Sequence, residues 1–131
     1  MNDDFASACD QPLPDLAREA IARFNAGDYY AQHDLLELLW KQTEGAIREL
    51  YRAILQVGIA YYHITEGNRR GALKMLQRAF RWLAGLPAVC QGVDLVDLKQ
   101  NAEAVRRELL RVGDDLGGFD RALLRPVRWV G

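Results

Sequence analysis

The stretch from residue 46 to residue 65 places apolar side chains around most of a helical circumference: Ile47, Leu50, Tyr51, Ile54, Leu55, Val57, Ile59, Tyr61 and Tyr62. A helix apolar on nearly every side is a buried one, so the other elements of this chain have to pack around it. Yet Arg52, Gln56 and His63 fall on one narrow stripe of the same helix, with Glu49 at its edge. Each unpaired buried polar group costs about 1–3 kcal/mol, and a charge costs more. The stripe therefore demands partners from a neighbouring element.

Start and stop signals predict four further helices, one from about Pro14 or Asp15 to Asn25 and the others over about 29–42, 69–84 and 95–112. Gly27 ends the first and Asp28 is a good N-cap for the second. Gly45 marks the turn into the central helix, Gly67 ends that helix, and Asn68 caps the next. Gly85-Leu86-Pro87 closes the fourth predicted helix, and Asp94 caps the fifth. Gly27-Asp28 and Gly67-Asn68 stand 40 residues apart, each between two helices, a weak internal echo in the style of helical repeats. No segment reads as a strand. Residues 1–12 are expected to be frayed, 13–113 to form the helical domain, and 114–131 to form a C-terminal arm with a helical turn near 120–124. The expected fold is all-α, with four to five antiparallel helices arranged as helix-turn-helix pairs around the buried central helix.

The helix over 29–42 offers the mates for the stripe. His33 and Glu37 lie one turn apart at the margin of its apolar arc. The short connection at Gly45 makes this helix antiparallel to the central one, which sets Glu37 beside Arg52 and His33 beside Gln56. His63 falls nearer the Tyr30 end. Trp40, Tyr30 and Tyr62 border the cluster, with Trp40 expected in the core. The preferred reading is a structural network, Glu37 to Arg52 and His33 to Gln56. A small-molecule or anion pocket is a second reading. A third is a metal or acid–base site built from His33, Glu37 and His63, since two imidazoles and a carboxylate are a minimal ligand set. The arginine within the cluster opposes a cation, and no metal or cofactor is expected.

The run Phe24-Asn25-Ala26-Gly27-Asp28-Tyr29-Tyr30, followed by His33, Glu37 and Trp40, resembles domain-of-unknown-function family 309. Arg52, Gln56, Ala60 and His63, then Gly67-Asn68 and Gly71-Ala72, continue the resemblance over about residues 15–85. The resemblance implies a small all-helical prokaryotic protein without an assigned activity. It marks the same cluster and supplies no reaction.

A second candidate is a basic ridge, Arg69, Arg70, Lys74, Arg78 and Arg81, with Arg48 nearby. Such a ridge suits phosphate groups, but a solvated helix face is the preferred reading. The formal net charge of the 131-residue chain is −1, which argues against a nucleic-acid partner. Near Asn68, the small pair Gly71-Ala72 reads as a close helix contact. Ser7 is the only serine, and neither cysteine adjoins a histidine, so nucleophilic Ser or Cys catalysis is nearly excluded. Cys9 and Cys90 lie in no motif spacing and are expected to be separate thiols in a reduced, cytoplasmic protein. The acidic N-terminus is not a signal peptide, and no run is long enough to span a membrane.

The expected function is therefore a non-enzymatic helical interaction or small-ligand-binding module. A metal-dependent hydrolase or acid–base enzyme, and a nucleic-acid accessory protein acting through the ridge, are the alternatives. Trp129 on the arm, beside Val127 and Val130, points to docking on the domain itself or on a second copy. A homo-oligomer formed through the arm or the last helix is the expected partner.

Overall fold

The computed structural model describes residues 3–130. It contains six α-helices: α1 (Asp3–Cys9), α2 (Asp15–Asn25), α3 (Tyr29–Gln42), α4 (Arg48–Thr65), α5 (Arg69–Ala84) and α6 (Leu95–Val112). A two-residue antiparallel ladder, β1 (Val89–Cys90) with β2 (Val93–Asp94), precedes α6, and two 3₁₀ turns (Leu116–Gly118 and Arg121–Leu123) follow it. Among the described residues the fold is all-α apart from that ladder.

α4 is the centre, flanked by α3 and α5, and α2 packs on α3. It buries Leu50, Tyr51, Ala53, Ile54, Val57, Ala60, Tyr61 and Ile64. α5 meets it through Ala72, Leu76, Ala79 and Leu83, one buried row in which two alanines let the helix axes approach. Phe24, Tyr29 and Tyr61 form an edge-to-face trio with centroids 5.4–5.7 Å apart, joining α2, α3 and α4.

The echo at 40 residues is structural. At the first joint Gly27 has φ 83°, the Asp28 N–H donates to the Arg23 carbonyl, and the Asp28 side chain accepts from the Ala31 N–H. At the second, Gly67 has φ 77°, the Asn68 N–H donates to the His63 carbonyl, and the Asn68 side chain accepts from the Gly71 N–H. Both joints need a left-handed glycine and then a capping side chain, so α2–α3 and α4–α5 turn back on themselves in the same way.

Three features depart from expectation. Residues 3–9, expected to be frayed, form α1, because Phe5 is buried and Cys9 is bonded to Cys90. The two cysteines are thus a disulfide and not separate thiols; they are 81 positions apart in sequence but 4.4 Å apart at Cα. Gln91 and Gly92 both have positive φ and close a tight hairpin, without the Asn-Gly pair that announces such a turn. Gln91 fastens the neighbourhood: its N–H donates to the Cys9 carbonyl, its amide donates to the Ala8 carbonyl, and its oxygen accepts from the Tyr51 hydroxyl.

The C-terminal arm docks on its own domain. Val127 is buried and exchanges two hydrogen bonds with the Asn25 side chain, at 2.8 and 3.1 Å. Trp129 bridges to Val93, beneath the Arg18 guanidinium.

Candidate ligand-binding cleft

α4 exposes one stripe. Arg52, Leu55, Gln56, Ile59, Tyr62 and His63 are half-buried while the rest of the helix is largely covered. The stripe floors a cleft with α3 on one side and α5 on the other. The α3 side, about 180 Å³, is lined by His33, Glu37 and Trp40 together with Arg52, Leu55 and Gln56. The α5 side, about 360 Å³, is lined by Arg78, Arg81 and Trp82, again with Arg52 and Gln56. Arg52 and Gln56 are common to both sides.

His33, Glu37, Arg52 and Gln56 are thus brought together, but the contacts differ from the expected network. Arg52 makes no ion pair among the described residues; its guanidinium lies 4.2 Å from the Trp40 ring centroid and 4.8 Å from that of Trp82. Arg48 covers Trp40 as well, at 4.0 Å, and its Nε donates to the Trp40 carbonyl. Trp40 is half-buried beneath two guanidiniums and is not a core residue. Glu37 lies 3.3 Å from Lys41 Nζ and 3.4 Å from His33 Nε2, both along its own helix. The other ring nitrogen of His33 is 3.3 Å from Asp34. Among the described residues Gln56 makes no hydrogen bond to His33, and its buried Oε1 has no hydrogen-bond partner. Arg52 lies against the two indole rings, and Glu37 takes its cation, Lys41, from one turn along its own helix.

His63 does not line the cleft. Its Nδ1 lies 3.3 Å from the Asn68 amide, and its ring lies against Gly71, where a Cβ would come within 3.1 Å of it. Tyr30, Tyr62 and His63 follow one another along the upper end of the stripe, with the two tyrosine centroids 5.4 Å apart. Among the described residues no three His, Cys, Asp or Glu side chains are arranged to hold a metal ion, so His63 does not complete the trio with His33 and Glu37.

The basic ridge is not one surface either. The Arg69 Nε donates to the Leu109 carbonyl at the C-terminal end of α6, where a cation complements the helix dipole. Arg78 and Arg81 turn toward the cleft, whereas Arg70 and Lys74 line a separate groove against α6. Sequence reasoning missed two contributors. Trp82 walls the cleft, and Gln32 lies on the fully buried face of α3, with its amide donating to the Leu55 carbonyl at 3.3 Å. The available signal for Gln32 was Gly58, a glycine in mid-helix.

Two like helical hairpins enclosing a half-buried, cationic cleft define a small all-helical architecture. Residues 17–75 match the family model described as a domain of unknown function, DUF309, the similarity that the motif from Phe24 to Trp40 implied. A protein of Aquifex aeolicus (strain VF5), described as uncharacterized, is 30% identical over 94 residues, which is 70% of this chain and 28% of the relative. The match thus spans little more than a quarter of that relative's length. The matched segment holds His33, Glu37, Trp40, Arg52 and Gln56; Arg78, Arg81 and Trp82 lie beyond it. Among the described residues no helix is long and apolar enough to cross a membrane.

Proposed function

We propose that this protein is a non-enzymatic binding module whose cleft takes a small anion that also carries a hydrogen-bond donor. The observation behind this reading is the pairing of Arg52, without a carboxylate partner among the described residues, with Gln56, whose buried Oε1 has no donor among them. A phosphate monoester or a hydroxy- or amino-carboxylate answers both needs: its charge meets Arg52, Arg78 and Arg81, and its hydroxyl or amine donates to Gln56. About 360 Å³ on the α5 side is room for a ligand at the small end of the usual range.

Trp40 and Trp82 flank Arg52, so their emission reports on the site. Titration with inorganic phosphate, glycerol phosphate and small hydroxy acids is expected to change it saturably. Arg52→Met, which keeps an apolar stem under the rings, removes the response while far-UV circular dichroism stays unchanged. No saturable change with any of these anions at millimolar concentration rejects the reading.

Self-association through α6 or the arm belongs to the same proposal. Val96, Trp129 and Val130 remain about half exposed, and sedimentation at rising concentration distinguishes a dimer from a strict monomer. A cytoplasmic location is also part of it, and requires the Cys9–Cys90 bond to persist or to be dispensable there.

A further inference from the structure

α5 carries Arg69, Arg70, Lys74, Arg78 and Arg81 and no acidic residue. The net charge of −1 conceals this local concentration. α6 packs on α5 far less extensively than α4 does, and a groove opens between them. One wall carries Arg70 and Lys74, and the other Arg106 and Arg107. None of these four takes part in an ion pair among the described residues. The floor is apolar: Leu73, Phe80 and Leu110, the last half exposed. Two adjoining compartments of about 690 and 410 Å³ share Phe80 and Arg106, so the groove runs on along the helices. Glu103 is the one carboxylate in its lining.

We propose that this groove binds single-stranded nucleic acid. Its walls suit a phosphate backbone, and its floor offers an aromatic ring and aliphatic surface for bases that are free to turn inward. A duplex keeps its bases stacked and presents mainly phosphates to such a groove, so it leaves the floor unused. An acidic peptide would match the walls but gain nothing from the ring of Phe80 in place of a leucine. The surface is separate from the α3–α4–α5 cleft, and the variants below leave Arg52, Gln56, Arg78, Arg81 and Trp82 intact.

The test is fluorescence anisotropy with labelled oligodeoxythymidylate and oligouridylate of about 12 nucleotides, within the usual site size. A duplex of equal length and polyglutamate serve as comparisons. Saturable binding of a single strand, tighter than of the duplex at the same salt, is expected. The triple variant Arg70→Gln, Lys74→Gln, Arg106→Gln changes only exposed side chains and should flatten the slope of log K against log salt by about 2, at about 0.7 per phosphate contact. Phe80→Leu should weaken single-strand binding about tenfold and leave the slope unchanged. If Phe80→Leu fails to fold, the triple variant decides. The proposal is overturned by no saturable binding of either oligonucleotide, by duplex or polyglutamate binding as tightly, or by an unchanged slope in the triple variant. The tryptophan response to small anions should be the same in the triple variant, so failure of one proposal is distinguishable from failure of the other.

Discussion

Gly58 on α4 lies directly against the buried amide of Gln32 on α3: a Cβ at position 58 would overlap the Nε2 and come within 2.6 Å of the amide carbon. The helix tolerates a mid-span glycine because that amide needs the space to reach the Leu55 carbonyl. Gly58→Ala gains about 1 kcal/mol of helix propensity but forces a steric conflict costing about 1–3 kcal/mol. The variant should therefore be less stable in urea denaturation. In a Gln32→Ala background the same change should be neutral or stabilising, and equal effects in both backgrounds would show that the contact carries no energy.

Tyr61 is fully buried, its hydroxyl has no hydrogen-bond partner among the described residues, and burial pushes its pKa well above the usual tyrosine value. Its ring is held by Phe24 and Tyr29. Tyr61→Phe keeps the ring and removes the unsatisfied oxygen, so thermal unfolding should show unchanged or increased stability, by about 1 kcal/mol at most. A loss of more than that would reveal a partner for the hydroxyl.

Glu108 near the end of α6 accepts from Arg111 at 2.6 and 2.9 Å and from the Asp120 N–H at 2.9 Å. The Arg111 hydrogen bond first, and then the Asp120 N–H, lower its pKa from 4.5 to about 2. The folded state binds the proton less tightly than the unfolded chain, so the stabilising effect is full above about pH 4.5 and fades between there and about 2. The protection of the Asp120 amide, taken as exchange relative to the intrinsic rate at each pH, should persist well below pH 4, and in Glu108→Gln it should be lower and independent of pH over that range.

The Cys9–Cys90 bond closes a long loop, with partners 81 positions apart. In the chain-entropy model such a cross-link contributes about 4 to 5 kcal/mol. Cys9→Ser with Cys90→Ser should lower the urea midpoint and expose α1 to proteolysis first. Thiol titration of the denatured wild-type protein without reductant should find no free thiol.

Much of this was legible in the chain. Asp28, Asn68 and Asp94 cap the helices they were expected to cap, and the apolar periodicity of α4 identified the centre. His33, Glu37, Gln56 and Arg52 line one side of the cleft together. What the pattern could not carry was competition among partners. Helical spacing shows that Glu37 can reach Arg52, but not that Trp40 and Trp82 hold that guanidinium instead. α1 was missed because its order depends on contacts with residues some 80 positions away. The two-residue ladder was missed because it is too short to show a period.

The disulfide joins a residue before the first hairpin to one just after the second, so α2, α3, α4 and α5 all lie within one covalent ring. A single cut in the exposed turn at Gly45 would open that ring without releasing either piece. The α2–α3 and α4–α5 halves would stay tethered at their far ends, at high effective concentration, and free to reassemble. Such a nicked molecule would run as two fragments only after reduction, which separates damage to the peptide chain from loss of the assembled protein.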